Sequence, residues 1–120
     1  MLSAILTTMA TTTTIETSEA ALDRLVRHVV NVMDPLQVWL FGSRAEDRAR
    51  PTSDYDLLVV MPDGTPDGEL DPVRAWRLGW DVSVTADIIP CTRSEFDEEK
   101  NEIDSLPRAA MLRGRKLYER

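Results

Sequence analysis

The 120-residue chain has few cysteines and no long apolar stretch, and each absence excludes a class of protein. Its single cysteine, Cys91, cannot form a disulfide within the chain, which fits a reducing compartment, and we expect a cytoplasmic protein. No apolar run approaches the roughly 18 residues of a membrane span. The first residues lack the basic cluster that opens a signal peptide, and residues 1–16 are predicted to form a flexible N-terminal arm.

Basic residues are also scarce, since 14 lysines and arginines face 21 acidic residues and the net charge is −7. Nonspecific binding to a nucleic-acid backbone needs a basic surface, so we do not expect a nucleic-acid partner. A nucleotide is still compatible with this charge, because divalent cations can bring a phosphate into an acidic pocket. The length suits one domain, which we place at residues 17–120.

Apolar periodicity and turn residues predict the order helix, strand, short helix, strand, helix, strand, helix. The first helix has a cap at Thr17 or Ser18 and ends at Asp34-Pro35. The predicted strands are 37–41, 55–61 and 82–89, the last of them stopped by Pro90. The other predicted helices are 43–49, 72–78 and most of 92–106, and Gly114 is predicted to end a last helical turn.

This order predicts an α/β or α+β fold, in which helices pack on one face of a small mixed sheet and the other face is an open polar cleft. Trp39 lies in a predicted strand and is expected in the core. Trp76 and Trp80 face either the core or a partner, and we favour the core because so small a domain has few large apolar residues. Cys91 is expected to be a buried thiol rather than a nucleophile.

Two aspartates, Asp54 and Asp56, stand one residue apart at the start of the second predicted strand. Residues i and i+2 of a strand point to the same face, with Cα atoms roughly 6.5 Å apart. Two carboxylates at this spacing repel each other unless cations lie between them. Carboxylate oxygens suit Mg²⁺ together with substrate phosphates, and two-metal sites use carboxylates to bridge their ions. The pair therefore predicts a magnesium site.

A third carboxylate would complete such a site, and two residues compete for that place. Asp87 lies late in the third predicted strand, on its polar face, and would stand beside Asp56 if the second and third strands pair. Asp81 has the same parity but lies nearer the preceding helix. We favour Asp87 and keep Asp81 as the competitor.

A Gly-Ser pair, Gly42 and Ser43, stands between the first strand and the predicted short helix. Glycine lets the backbone approach a bulky anion closely, and the first amides of a helix can hold a phosphate. Ser43 adds a hydroxyl, and Arg44 is either a further phosphate contact or a surface charge. These three residues are the candidate nucleotide-binding residues.

The stretch "FGSRAEDRARPTSDYDLLVV" contains Gly-Ser, ten further residues, and then Asp-x-Asp inside a strand. This pattern resembles the signature of the DNA polymerase beta-type nucleotidyltransferase superfamily. The chain length, the segment "ADIIPCTRSEF" and the closing "RGRKLYER" are similar to its minimal nucleotidyltransferase branch. The resemblance covers about residues 20–118 and implies a nucleotidyltransferase fold for residues 17–120.

The resemblance implies a role for each candidate residue. Gly42 and Ser43 would hold the phosphates of ATP, the usual donor in this family. Asp54, Asp56 and Asp87 would be catalytic and would bind two Mg²⁺ ions. A hydroxyl would attack the α-phosphate and release pyrophosphate, with Asp87 nearest the incoming hydroxyl.

Members of the minimal branch are often paired with a small all-helical HEPN-type protein in toxin–antitoxin pairs. The resemblance therefore implies transfer of AMP from ATP to a hydroxyl of such a partner, which silences the partner. The alternative is an antitoxin that masks its partner by binding alone, with little catalysis. Relatives commonly carry Arg-Gly where this chain has Glu46-Asp47. Two extra acids near the phosphates weaken triphosphate binding and favour the alternative mildly.

Overall fold

The computed structural model describes residues 16–120, so the predicted N-terminal arm lies outside the described residues except for Glu16. The first helix, α1 (Ser18–Met33), begins at Thr17, whose side chain accepts a hydrogen bond from the N–H of Ala20. It ends at Asp34, which takes a left-handed conformation before Pro35. Both ends agree with the sequence prediction.

A four-stranded mixed sheet forms the centre of the fold, with the strand order β3-β2-β1-β4. The strands are β1 (Gln37–Phe41), β2 (Tyr55–Met61), β3 (Ala86–Thr92) and β4 (Arg115–Glu119). β1 runs antiparallel to β2 and to β4, whereas β2 and β3 are parallel. The predicted mixed sheet and α+β class are confirmed, and β1 and β2 have the predicted bounds.

The third strand begins later than predicted and continues past Pro90. Val82 and Ser83 belong to the turn after the preceding helix, because their N–H groups donate to Gly79 and Trp80 carbonyls and Ser83 has a φ of 57°. The apolar alternation that predicted strand at 82–85 therefore reflects turn residues packed on the core. Pro90 does not end the strand because β3 is an edge strand, where a missing donor is tolerated.

The helices after β2 differ in their bounds from the prediction. A 3-10 helix (Asp67–Leu70) precedes α2 (Pro72–Asp81), which Asp71 caps. The polar helix predicted over most of 92–106 is reduced to α3 (Arg93–Glu99), and the last helical turn predicted before Gly114 corresponds to α4 (Leu106–Arg113). Thr92 and Ser105 each accept a hydrogen bond from the third N–H of the helix that follows, so each helix has its own cap. Gly114 ends α4 as predicted.

Segment 43–49 does not form the predicted short helix but a series of turns. The N–H of Glu46 donates to the carbonyl of Gly42, and the N–H of Arg48 donates to the carbonyl of Ser43. Asp47 has a φ of 54°, which a continuous right-handed helix does not allow. The chain therefore turns back toward β2 within a few residues.

Both faces of the sheet carry apolar side chains. Helices were predicted on one face, and the structure has helices on both. The longer helices α1 and α2 pack on one face, which holds the larger core; its members include Leu25, Val29, Leu57, Val59 and Ile88. On the second face, Phe96 of α3 and Ala110 of α4 pack against Leu58, Val60 and Cys91. The short helices therefore cover one end of the second face.

The large side chains divide between core and surface in an unexpected way. Trp39 packs in the second core, with its ring stacked at 5.8 Å from that of Phe96. Trp76 and Trp80 are 40% and 69% exposed, so the preference for the core was wrong. They lie on α2 opposite the residues that face inward, Ala75 and Leu78.

Cys91 is buried, as predicted, and its burial raises the pKa of the thiol to about 12, with help from nearby acidic side chains. A thiol with such a pKa is a poor nucleophile at neutral pH. Over the described part of the chain, no helix combines the length and the apolar character needed to cross a bilayer.

Candidate active site

The start of β2 places two aspartates on the second face of the sheet. Side chains alternate along the strand, so Asp56 shares a face with Leu58 and Val60, whereas Tyr55 joins the larger core. Asp54 lies one residue before the strand and continues the same alternation. The two apolar residues are covered by the short helices, and the two aspartates lie at the uncovered end.

The strand pairing brings one of the two competing carboxylates beside this pair. In the parallel register, Asp87 of β3 lies directly opposite Asp56. Neighbouring strands are about 4.8 Å apart, so these two side chains leave adjacent positions on one face. Asp81 is elsewhere: its Oδ2 lies 2.9 Å from Nε2 of His28, between α2 and α1. The geometry therefore favours Asp87 over Asp81, and the role of Asp87 as a metal ligand stays a prediction.

The three aspartates interact electrostatically. Asp56 is half-buried, and its burial raises the pKa of its carboxyl above the usual value. The negative charges of Asp87 and then Asp54 raise this pKa further. An ionised Asp56 is therefore unfavourable in this position unless a cation compensates the charge.

The donor set of Asp54, Asp56 and Asp87 fits a hard divalent cation by its chemistry. Among residues 16–120, no three His, Cys, Asp or Glu side chains already form a group that could hold a metal ion. Asp54, Asp56 and Asp87 nevertheless share one face and supply only oxygen ligands, and the charges of Asp87 and Asp54 raise the pKa of Asp56. Such ligands suit Mg²⁺, which binds few carboxylates and takes the rest of its ligands from water and phosphate.

Gly42 lies against the carboxylate of Asp56. Its φ is 74°, in the left-handed region, and a Cβ atom there would fall 2.3 Å from Oδ2 of Asp56. Both the backbone conformation and the available space therefore require glycine. We call this close approach of the Gly42 backbone to the Asp56 carboxylate, at the uncovered end of the sheet, the notch.

The amides next to Gly42 are available to a ligand. The N–H groups of Ala45 and Glu46 donate to the carbonyl of Gly42, whereas those of Ser43 and Arg44 have no hydrogen-bond acceptor among residues 16–120. Two adjacent free N–H groups can bind an anion without a helix. The helix predicted to begin here is absent, so the candidate N–H donors are those of Ser43 and Arg44 in a turn instead of those of a helix N-terminus.

Arg44 holds the loop that precedes Asp54. Its guanidinium donates to the carbonyls of Ser53 and Pro51, at distances of 2.8 and 3.3 Å, and lies 4.5 Å from the centre of the Tyr55 ring. Tyr55 faces the larger core, so this guanidinium lies on the side of the sheet opposite Asp56. The predicted phosphate contact of Arg44 stays a prediction, and it would require the guanidinium to leave these acceptors.

Glu46 connects the turn segment to the end of α4. Its Oε2 lies 3.1 Å from Nη2 of Arg48 and 3.8 Å from Nε of Arg113. The side chain of Glu46 is only 27% exposed, because it lies between the segment and these arginines. Sequence analysis missed Arg113, since no local pattern links a residue near the end of the chain to this segment.

Asp47→Gly is expected to raise the free energy of unfolding by about 0.5 kcal/mol, because glycine accepts a left-handed backbone without a steric cost. Urea denaturation measures the change. Asp23→Gly is the matched control, since it removes the same charge from a right-handed residue of α1 and is expected to lower the free energy of unfolding by a similar amount. Equal losses at both positions would contradict the backbone argument.

The family model of the nucleotidyltransferase domain matches residues 22–115. A solved Sulfolobus solfataricus protein, to which nucleotidyltransferase activity is attributed, is 21% identical with a TM-score of 0.52, over 83% of this chain and 78% of that chain. A toxin–antitoxin structure with AMP-PNP is 19% identical with a TM-score of 0.56, over 87% and 75% of the two chains. No curated protein matches. Because the family match includes the notch and all three aspartates, the chain belongs to the nucleotidyltransferase domain family.

Proposed function

We propose that the protein transfers AMP from ATP to a hydroxyl of a partner protein in a Mg²⁺-dependent reaction. Family membership supports nucleotidyl transfer in general. The observation that carries the proposal is the register that places Asp87 opposite Asp56, next to the notch at Gly42. Metal ligands and a phosphate site must be neighbours in any enzyme of this type, and the adjacency of Asp56, Asp87 and Gly42 supports these roles.

The site residues have distinct roles in this proposal. Asp54, Asp56 and Asp87 would hold two Mg²⁺ ions, which when bound would neutralise charge on the triphosphate and lower the pKa of the attacking hydroxyl. Gly42 and the free amide of Ser43 would lie against the phosphates. The hydroxyl oxygen would form a bond to the α-phosphorus while the bond to pyrophosphate breaks. Asp87 is exposed, so it would face the incoming hydroxyl and accept its proton.

The open end of the second face supports a macromolecular acceptor. Asp54 and Asp87 are exposed, and no described helix covers them, so a side-chain hydroxyl of another protein has access. The toxin–antitoxin neighbour with AMP-PNP supports ATP as the donor and a toxin as the partner. In this proposal, the partner is a HEPN-type helical protein and the chain is its antitoxin, working in the cytoplasm.

The direct test is incubation of the protein with ATP, Mg²⁺ and the product of the neighbouring gene, followed by intact-mass spectrometry. We expect the partner to gain the mass of one AMP group and pyrophosphate to be released. The variant Asp54→Ala with Asp56→Ala is the control and is expected to leave the mass unchanged. A partner that stays unmodified with the wild-type protein would contradict the proposal, provided that the two proteins form a complex.

Binding-only neutralisation is the second candidate function. Glu46 and Asp47 add negative charge beside the notch, which opposes triphosphate binding and favours a role without catalysis. The same double variant separates the two functions in cells. Full neutralisation of the partner by Asp54→Ala with Asp56→Ala, at matched expression, would favour masking over catalysis.

A further inference from the structure

The segment that would bind the triphosphate carries negative charge, which repels the phosphates. We call residues 42–48 the phosphate loop. It contains two acidic residues, Glu46 and Asp47, and it adjoins the three aspartates of the sheet. A triphosphate beside so many acids needs a cation from the protein as well as metal ions. Arg44 of the loop is already bonded to carbonyls on the other side of the sheet.

The end of α4 brings an arginine from another element to this loop, which already contains Arg44 and Arg48. Ala110 is fully buried against the second face, and a Cβ atom on Gly114 would fall 2.3 Å from the carbonyl oxygen of Leu40. The last turn of α4 is therefore fixed against β1, two residues before Gly42, on the face that carries Asp56. Arg113 is the last residue of α4 and projects from this anchored turn.

Glu46 forms an ion pair with the guanidinium of Arg113 beside the phosphate loop. The pair joins Nε of Arg113 and Oε2 of Glu46 at 3.8 Å, which is longer than a hydrogen bond. The two Nη groups of Arg113 have no partner among residues 16–120, and its side chain is 57% exposed. A guanidinium held at one edge can still offer a pair of N–H donors to a phosphate, which is the geometry that favours arginine over lysine.

We propose that Arg113 binds the triphosphate of the nucleotide and that Glu46 is the residue that positions it. This inference rests on the proposed function, because it names the cation of the same site. It also explains why an acidic residue is tolerated in the phosphate loop: the carboxylate of Glu46 recruits an arginine from another element. Arg48 also pairs with Glu46, but it lies within the loop and has no helix to anchor it.

The test is calorimetric titration of the full chain with AMP-PNP and with AMP, each in the presence of Mg²⁺. Arg113→Ala is expected to weaken AMP-PNP binding by about 10-fold, since a charged hydrogen bond to phosphate is lost. Binding of AMP, which lacks the outer phosphates, is expected to change by less than about 2-fold. Arg113→Lys should recover part of the loss, because it restores the charge but not the paired donors.

Two further variants serve as controls. Arg108→Ala removes an arginine from the same helix and is expected to leave both affinities within about 2-fold of the wild type. Arg48→Ala is expected to weaken AMP-PNP binding less than Arg113→Ala does, and a loss as large as that of Arg113→Ala would overturn the assignment to Arg113. Thermal unfolding should be unchanged in all three alanine variants, since the side chains are exposed or half-buried at the surface.

The positioning role of Glu46 has its own readout. Glu46→Arg gives the phosphate loop a cation of its own, so adding Arg113→Ala to it is expected to cost less than about 2-fold in AMP-PNP affinity. A full 10-fold loss in that double variant would overturn the role of Glu46. If the wild type binds AMP-PNP and Arg113→Ala binds it equally well, the inference fails and the proposed function stands. If the wild type does not bind AMP-PNP with Mg²⁺, both fail.

Discussion

Asp56→Asn is expected to reduce AMP transfer by at least about 10³-fold, because it removes the central carboxylate of the proposed magnesium site. Asp56 is the residue that touches both halves of the site: it lies opposite Asp87 and against Gly42. Transfer is measured as the rate at which the partner gains AMP under excess ATP and Mg²⁺. Asp87→Asn is expected to give a loss of similar order.

Asp81→Asn is the matched control for these variants. Asp81 was the competing third carboxylate, and the structure pairs it with His28 between two helices. Its replacement is expected to leave the transfer rate unchanged and to cost at most about 1 kcal/mol of stability, as exposed ion pairs usually do. A loss of transfer in Asp81→Asn but not in Asp87→Asn would contradict the arrangement of the site.

The same Asp56→Asn variant is expected to be more stable than the wild type without Mg²⁺. The raised pKa of Asp56 means that the folded protein binds this proton more tightly than the unfolded chain does. Ionised Asp56 therefore destabilises the fold above its folded-state pKa, and the effect disappears as the pH falls through that pKa toward the unfolded value. At neutral pH we expect a gain of about 0.5 kcal/mol, reduced by solvent because the group is half-exposed.

Gly42→Ala is expected to lower the transfer rate by about 10²-fold and the free energy of unfolding by about 1–2 kcal/mol. The added Cβ would overlap with Oδ2 of Asp56, so the carboxylate must move out of the geometry that the reaction needs. Transfer assays and urea denaturation of the same samples measure the two effects.

Gly64→Ala separates the backbone cost from the cost of this overlap. Gly64 has a φ of 87°, also in the left-handed region, but a Cβ there would meet no atom within 4 Å. Gly64→Ala is expected to lower the free energy of unfolding by about as much as Gly42→Ala does, and to keep full transfer activity. If both variants keep their activity, the contact between Gly42 and Asp56 is not part of the site.

The sequence predicted the parts of the fold that depend on local signals. β1 and β2 are short apolar runs with clear breakers beside them, and their bounds were correct. The position of Asp87 followed from parity and from the assumption that β2 and β3 pair, which the register supports. The cap at Thr17 and the stop at Gly114 are local signals too, and both were correct.

The errors occurred where distant contacts decide the outcome. The turn at Val82 and Ser83 depends on bonds to the end of α2, which an alternating apolar pattern does not reveal. Trp80 is exposed because α2 buries Ala75, Leu78 and Gly79 instead, an orientation that depends on how α2 packs against β3 and α1. Arg113 reaches the phosphate loop only through the placement of α4. Hydrophobic period alone carries no information on such contacts.

Pro90 limits the ability of the edge strand β3 to pair with strands of other proteins. The carbonyl of Thr85 accepts from the N–H of Tyr55 in β2, so alternation turns the backbone of Pro90 toward the outer edge of β3. That edge must stay uncovered if an acceptor is to reach Asp87. A proline there interrupts the row of donors that would otherwise pair with a strand of another protein, and so protects the open edge beside the candidate site from aggregation.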